Sequence, residues 1–269
     1  MKTRWIIMAL LVAAGMTQAA YVTIGNAGNA ADTTGYGAVG YTYKISDKEV
    51  TIAEMAAAIG AGDGDENYWS SVGTAAPAAN VSLYEAMKYC NYITSGNVNN
   101  GAYVFSSGVY QSTDRASAIT TYGTVYALPT EDEWYKAAYF KSDASGYSLY
   151  ANGTDTAPGV ETDSNYGGTG GTYPGTWVVG TGTMEQNGTY DMMGNVFEWM
   201  EDSGGVKRGG SCYPSQYYLR SSNRYSYPPA HEYFDLGFRV VAIPEPATAG
   251  LLAGAGLLIA AYRRYFGQV

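Results

Sequence analysis

A chain of 269 residues that is 46% hydrophobic and only 14% charged has enough apolar material for one large core and needs no disulfide to hold it. Its formal net charge of −9 argues against binding nucleic acid or anionic lipid through the folded core. Two cysteines (Cys90, Cys212) and one histidine (His231) exclude a Cys/His zinc cluster and a two-histidine iron site, while 35 glycines and 27 tyrosines indicate loops held by aromatic packing.

In chain order, residues 1–19 carry the features of a signal peptide. Lys2 and Arg4 precede an uncharged run from Trp5 to Met16, and Thr17-Gln18-Ala19 offers small residues for cleavage. Tyr21–Ile24 alternates as a short strand, Asn26–Tyr36 is a Gly/Asn/Asp turn region, and Val39–Ile45 alternates again. Thr51 with Glu54 three residues on forms a capping box and opens a helix with Met55, Ala58 and Ile59 on its apolar side. Asp63-Gly64-Asp65-Glu66-Asn67 lacks the glycine and the terminal glutamate of a calcium loop and is expected to be a solvated turn. Ser82 and Glu85 start a second helix, on which Leu83, Ala86, Met87 and Cys90 share one face, so Cys90 is expected to be a buried apolar thiol. Pro129 stops a strand, Thr130 caps the next helix with Glu133 reciprocating, and Trp134, Ala137 and Ala138 face inward. From Ser142 to about Thr183 the composition predicts packed loops with short strands.

At the C-terminus, Ile243-Pro244-Glu245-Pro246 precedes an uncharged stretch from Ala247 to Tyr262, closed by Arg263-Arg264. At helical rise the stretch spans about 24 Å, short of the roughly 30 Å hydrocarbon core unless flanking side chains snorkel. The pattern resembles the PEP-CTERM sorting signal. That resemblance implies an exosortase-type sorting protease as partner, transient anchoring in the inner membrane through the tail, and delivery to the outer surface or the extracellular matrix.

The last third of the core carries the most specific motifs. Tyr190-Asp191-Met192-Met193-Gly194-Asn195-Val196-Phe197-Glu198-Trp199 is followed by Arg208-Gly209-Gly210-Ser211, then Leu219-Arg220-Ser221-Ser222-Asn223-Arg224, then Leu236-Gly237-Phe238-Arg239-Val240. With the Glu49-Val50-Thr51, Asn80-Val81-Ser82 and Leu128-Pro129-Thr130-Glu131-Asp132-Glu133-Trp134 segments, the chain resembles the sulfatase-modifying-factor, or formylglycine-generating-enzyme-like, family over nearly the whole of residues 20–242. The resemblance implies an α+β fold, a loop-rich variant of the C-type lectin architecture with few short helices and strands. The expected organisation is a signal peptide (1–19), one such domain (20–242) and a sorting tail (243–269).

The same resemblance implies a structural calcium held by the side chains of Asp191 and Glu198 and the carbonyls of Gly194 and Val196. Two carboxylates around a tight Gly-Asn turn suit a hard cation. A second calcium loop would begin near Asn165-Tyr166, but no aspartate or glutamate follows until Glu185. Catalytic members hold Cu(I) with two cysteines at the third and eighth positions after the serine matching Ser211. Here those positions are Pro214 and Leu219, and soft copper needs the sulfur pair. Copper is therefore not expected. The cysteine that pairs with the Cys90 position in relatives falls at Val240, so a bridge is not expected either. An iron-dependent branch of the family needs several histidines, which one His231 cannot supply.

The expected function is a non-catalytic binding module for a glycan or surface polymer. Ser211, Trp199, Arg220 and Arg224 are the candidate contact residues, although guanidinium groups in such a domain also serve loop carbonyls and carboxylates. The alternative is a formylglycine-generating-type oxidoreductase acting on a protein cysteine.

Overall fold

The computed structural model describes residues 20–59, 73–167, 175–213 and 215–244. The leader (1–19), the acidic turn at 63–67, Pro214 and the apolar stretch from Ala247 onward lie outside the described residues. Among the described residues no helix is long and apolar enough to cross a membrane.

Three capped helices set the frame. Helix α1 (Ile52–Ile59) starts at Thr51, whose hydroxyl accepts from Glu54 N at 3.2 Å while Glu54 accepts from Thr51 N at 2.8 Å. Helix α2 (Leu83–Ser95) carries a full capping box at Ser82 and Glu85 and ends at Gly96, whose φ of 75° is the left-handed stop that glycine tolerates. Helix α4 (Glu131–Tyr139) is capped by Thr130 with Glu133, and its acidic first turn complements the helix dipole. All three begin where the sequence predicts. Helix α3 (Arg115–Tyr122), capped by Asp114, was not anticipated, because its run of Ala, Ser and Thr has no apolar stripe.

The first sheet has the order β1 (Tyr21–Ile24), β2 (Tyr43–Ser46), β10 (Val241–Ile243), β5 (Val125–Ala127), all antiparallel, so the two ends of the domain are zipped together. The expected strand at Val39–Ile45 is confined to Tyr43–Ser46, because Val39 is tied to the preceding turn through Gly28 N to Val39 O at 2.8 Å. A hairpin of β3 (Tyr103–Ser106) and β4 (Val109–Thr113) turns through Ser107 and Gly108, both at positive φ. The last sheet has the order β8 (Tyr225–Ser226), β7 (Val206–Arg208), β6 (Phe197–Trp199), β9 (Leu236–Gly237), with β6 and β9 parallel. Residues 142–183 are loop as expected, but with isolated bridges in place of short strands among those described.

Trp134, Trp199, Tyr43, Tyr103, Tyr135, Tyr139 and Phe238 are all fully buried. Large rings at the centre of a domain with so little helix supply the apolar burial that longer elements would otherwise give. Trp199 Nε1 donates to Val81 O at 2.8 Å and locks β6 to the start of α2. This places Glu198, the middle residue of β6, at the centre of the molecule.

Candidate functional site

Glu198 is fully buried, and the chain itself satisfies it. Arg239 donates Nε to Oε2 and Nη2 to Oε1, each at 2.7 Å, and Trp134 Nε1 donates to Oε2 at 2.7 Å. Arg239 spends its remaining donors on backbone carbonyls, including Tyr190 O at 2.8 Å and Ser46 O at 3.2 Å. The planar guanidinium matches the carboxylate fork and supplies the positive charge a cation would bring. The ligand set expected from Asp191, Gly194, Val196 and Glu198 therefore does not fit calcium at Glu198, because that carboxylate is already held on both oxygens.

A second buried network lies beside it. Asp191 and Asn195 sit at φ 59° and 58°, either side of Gly194 at 88°, where a Cβ would overlap the Asn165 carbonyl. This turn brings together three segments distant in sequence. Asn165 Nδ2 donates to Asn195 Oδ1 at 3.1 Å, and Asn195 Nδ2 donates to Glu49 Oε2 at 3.3 Å. Asp191 Oδ2 accepts from Gly180 N at 2.6 Å, and the Glu49 and Asp191 carboxyls are near enough to influence each other's charge. Burial pushes the Glu49 carboxyl well above its ordinary range, and the negative charges of Asp191 and Glu198 push it further. Burial likewise raises Asp191. Among the described residues no three Asp, Glu, His or Cys side chains are placed to share one metal ion. The network holds two carboxylates and two amides.

Ser211 lies under a different face. Its hydroxyl donates to Asp235 Oδ2 at 2.6 Å and is wholly buried, as is Leu219 at one of the two copper positions. Cys90 and Cys212 are free thiols in separate surroundings. Cys90 has Glu201 and Arg115 as charged neighbours, and Cys212 has Asp235 and Glu49. Burial pushes Cys212 up to about 12, so neither sulfur is a ready thiolate.

A chain of aromatic rings runs from Tyr217 to Tyr213, whose backbone N–H donates to Ser211 Oγ at 3.4 Å. Tyr217 meets Tyr218 at 5.7 Å and Tyr218 meets Tyr225 at 5.3 Å, while Tyr225 reaches Phe197 at 6.2 Å. The Lys207 ammonium lies 3.9 Å from the Phe197 ring centre and 3.8 Å from that of Tyr227. Beyond it, Tyr227 meets Tyr233 at 6.3 Å, Tyr233 meets Phe234 at 4.7 Å, and Phe234 meets Tyr213 at 6.3 Å. Tyr213, Tyr217, Tyr225 and Tyr233 are between 37% and 54% exposed, so the chain of rings opens to solvent.

Of the expected contact residues, Trp199 and Ser211 are fully buried and Trp199 is spent on Val81. Arg220 donates to Tyr150 and sits 5.6 Å from the Tyr217 ring, at the edge of the chain. Arg224 pairs with Glu131 at 2.9 Å. Sequence reasoning missed Lys207, Asp235 and Glu49, whose neighbours come from remote segments. The tyrosine excess between 213 and 233 was the one available signal.

The match to known proteins agrees with this architecture. No functionally curated protein matches the chain. Among solved structures, variable protein 1 of Treponema denticola is 24% identical and superposes with a TM-score of 0.61, covering 83% of this chain and 95% of its own. A structure described as CarF is 22% identical with a TM-score of 0.62, covering 85% of this chain and 99% of its own. PvdO from Pseudomonas aeruginosa is 17% identical with a TM-score of 0.53, covering 83% of this chain and 91% of its own. These likenesses show the fold. The family profile described as sulfatase-modifying factor enzyme 1-like domain matches residues 71–243, and the chain belongs to that family.

Proposed function

We propose that this protein is an exported, non-catalytic binding module of the sulfatase-modifying-factor family, recognising a glycan or other surface polymer through the tyrosine-rich face beside Ser211. The observation that carries the reading is the row of exposed rings at Tyr213, Tyr217, Tyr225 and Tyr233. Ring faces cover the apolar C–H side of pyranoses, and phenol hydroxyls bond their edges. The acidic chain favours a neutral polymer over an anionic one. The absence of a sulfur pair in the sequence at Pro214 and Leu219 supports binding over copper-dependent oxidation. Export rests on the leader-like 1–19 and the sorting-like tail, which would bring the domain to the outer surface or matrix by way of an exosortase-type protease.

The test is a glycan array probed with the purified domain and with a Tyr217→Ala/Tyr225→Ala/Tyr233→Ala variant. Retention on neutral glycans by the parent, lost in the variant, is expected. Silence of the parent across the array, or conversion of a cysteine in a sulfatase-motif peptide by the parent with Cu(I) and oxygen, would overturn the proposal.

A further inference from the structure

The turn that follows β1 forms one wall of a second cleft, through residues 26–33. The other wall is the end of α4 and the bend after it, at Phe140 and residues 144–147. The cleft has a volume of about 610 Å³ and shares no residue with the tyrosine-rich face. Clefts that take a small ligand measure roughly 300–1,000 Å³.

The chain ties the two walls together by itself. Asn29 Nδ2 donates to the Tyr147 hydroxyl at 2.7 Å, and that hydroxyl donates to Gly37 O at 2.8 Å. Gly37 sits at φ 94°, and a Cβ there would collide with the Tyr147 ring, so glycine lets the ring close on the turn. Lys136 Nζ donates to Asn26 O at 2.9 Å and fixes the start of the turn to α4. A cleft held in this way has little ordering left to lose on binding.

The lining selects by charge and by shape. Phe140 and Tyr147 meet edge to face at 5.1 Å, and Ala27, Ala30 and Ala31 add methyl groups, so part of the cleft is apolar. The Asn26 side chain is exposed and makes no hydrogen bond among the described residues, so its amide offers both a donor and an acceptor. The Thr33 hydroxyl adds a second polar contact. Among the described residues the one charged side chain in the lining is Asp32, whose oxygens accept from Thr33 N and from the Tyr135 hydroxyl. Its negative charge opposes an anion. The buried Lys136 ammonium, 5.8 Å from the Phe140 ring centre, opposes a cation. A neutral ligand with an apolar face and a hydroxyl-bearing edge satisfies both conditions, and a sugar ring is such a ligand.

We infer that the cleft between residues 26–33 and 140–147 binds a neutral saccharide of one or two rings. Its apolar face lies against the Phe140 and Tyr147 pair and the alanine methyls, and its hydroxyls meet Asn26 and Thr33. The site holds whether or not the tyrosine-rich face binds a polymer.

The test is saturation-transfer NMR titration of the full chain with maltose, cellobiose and lactose, and with glucosamine and glucuronate as charged counterparts. At least one neutral disaccharide is expected to bind, about tenfold or more tighter than either charged sugar. Ala31→Trp fills the cleft from an exposed position, and Asn26→Gly removes the amide while keeping the left-handed backbone at φ 53°. Each is expected to weaken the disaccharide about tenfold or more. The Tyr217→Ala/Tyr225→Ala/Tyr233→Ala variant is expected to bind it as the parent does. No transfer to any neutral disaccharide at about 10 mM would overturn the inference, as would binding unchanged in both cleft variants. Equal binding of a charged sugar would overturn the selection for a neutral one. Loss of binding in the tyrosine variant with retention in Ala31→Trp would place the saccharide on the tyrosine-rich face, overturning this site and supporting that one.

Discussion

Glu198 and Glu49 are neighbours in the same core, and the chain treats them in opposite ways. Around Glu198 every oxygen meets a donor of this chain, in a bidentate Arg239 pair closed by the Trp134 indole. Around Glu49 the donor is one weak amide at 3.3 Å, and one oxygen has none. The same division recurs farther out, where Arg115 serves both Glu133 at 3.0 Å and Glu201 at 2.9 Å, with Tyr103 completing the cluster at 2.6 Å. A buried acid that faces a guanidinium is a finished structural joint. A buried acid that faces only other acids and amides holds its proton more tightly, because burial and the neighbouring negative charges both disfavour its charged form.

The largest expected effect breaks the finished joint. Arg239→Ala leaves Glu198 fully buried without its charge partner and removes the ties to Ser46 and Tyr190, so a loss of about 3–5 kcal/mol in urea unfolding is expected. A loss under about 1 kcal/mol would show that water or another cation takes the arginine's place, and would erase the contrast with Glu49. Next comes Arg115→Ala. Its side chain is 13% exposed, so water can reach the stranded acids in part, and a loss of about 2–3 kcal/mol is expected by the same measurement. The order of these two variants is itself the test, since deeper enclosure is what makes the Glu198 joint the more costly to break.

These joints explain how much could be read from the sequence. The capping boxes at Thr51, Ser82 and Thr130 are local, with both partners within three residues, and all three helices start where that pattern places them. Cys90 was legible as a buried thiol for the same reason, since its spacing on α2 reports its face. The α+β, lectin-like architecture was legible through motif order, and the family profile matches residues 71–243. What was not legible is the pairing between motifs. Glu198 belongs to one motif and Arg239 to another, and nothing local says that they meet across 41 residues. The sequence offered Asp191 as part of one cation loop and discounted a second at Asn165, yet Asn165 and Glu49 both bond to Asn195, in the turn that follows Asp191. The ring chain from Tyr217 to Tyr213 combines β6, β8 and the loop at 227–234, so a local count of tyrosines shows the abundance but not the surface.

A smaller effect sharpens the local side of that contrast. Thr130→Ala removes one side-chain acceptor from the start of α4 and loosens Glu133, which the box holds in place for Arg115. The expected cost is about 1 kcal/mol. Thr130→Ala combined with Arg115→Ala should cost less than the two separately, because both act through Glu133. Full additivity in the double variant would show that the cap and the joint are independent.

The smallest expected effect concerns the mirror image of Glu49, a buried cation lacking a close anion. Lys207 has no carboxylate within 4.0 Å among the described residues and rests between the rings of Phe197 and Tyr227. Burial disfavours its charged form, Asp235 restores part of it, and the ammonium titrates lowered from 10.5 to about 8. Between about pH 8 and 10.5 the unfolded chain therefore holds a proton at this lysine that the folded chain has released. Stability from this group rises with pH across that window, and the cost of burying the charge is present in full below it. Because this lysine exchanges one proton, the slope it contributes cannot exceed about 1.4 kcal/mol per pH unit. The measurement is urea unfolding of the parent and of Lys207→Met at pH 7.5, 8.5 and 9.5, taking the difference so that other titrating groups cancel. The parent should gain on the variant as pH rises. A difference that stays flat or moves the other way would mean that the two rings hold the ammonium charged, and Lys207 would then join Arg239 as a cation the fold has fully accommodated.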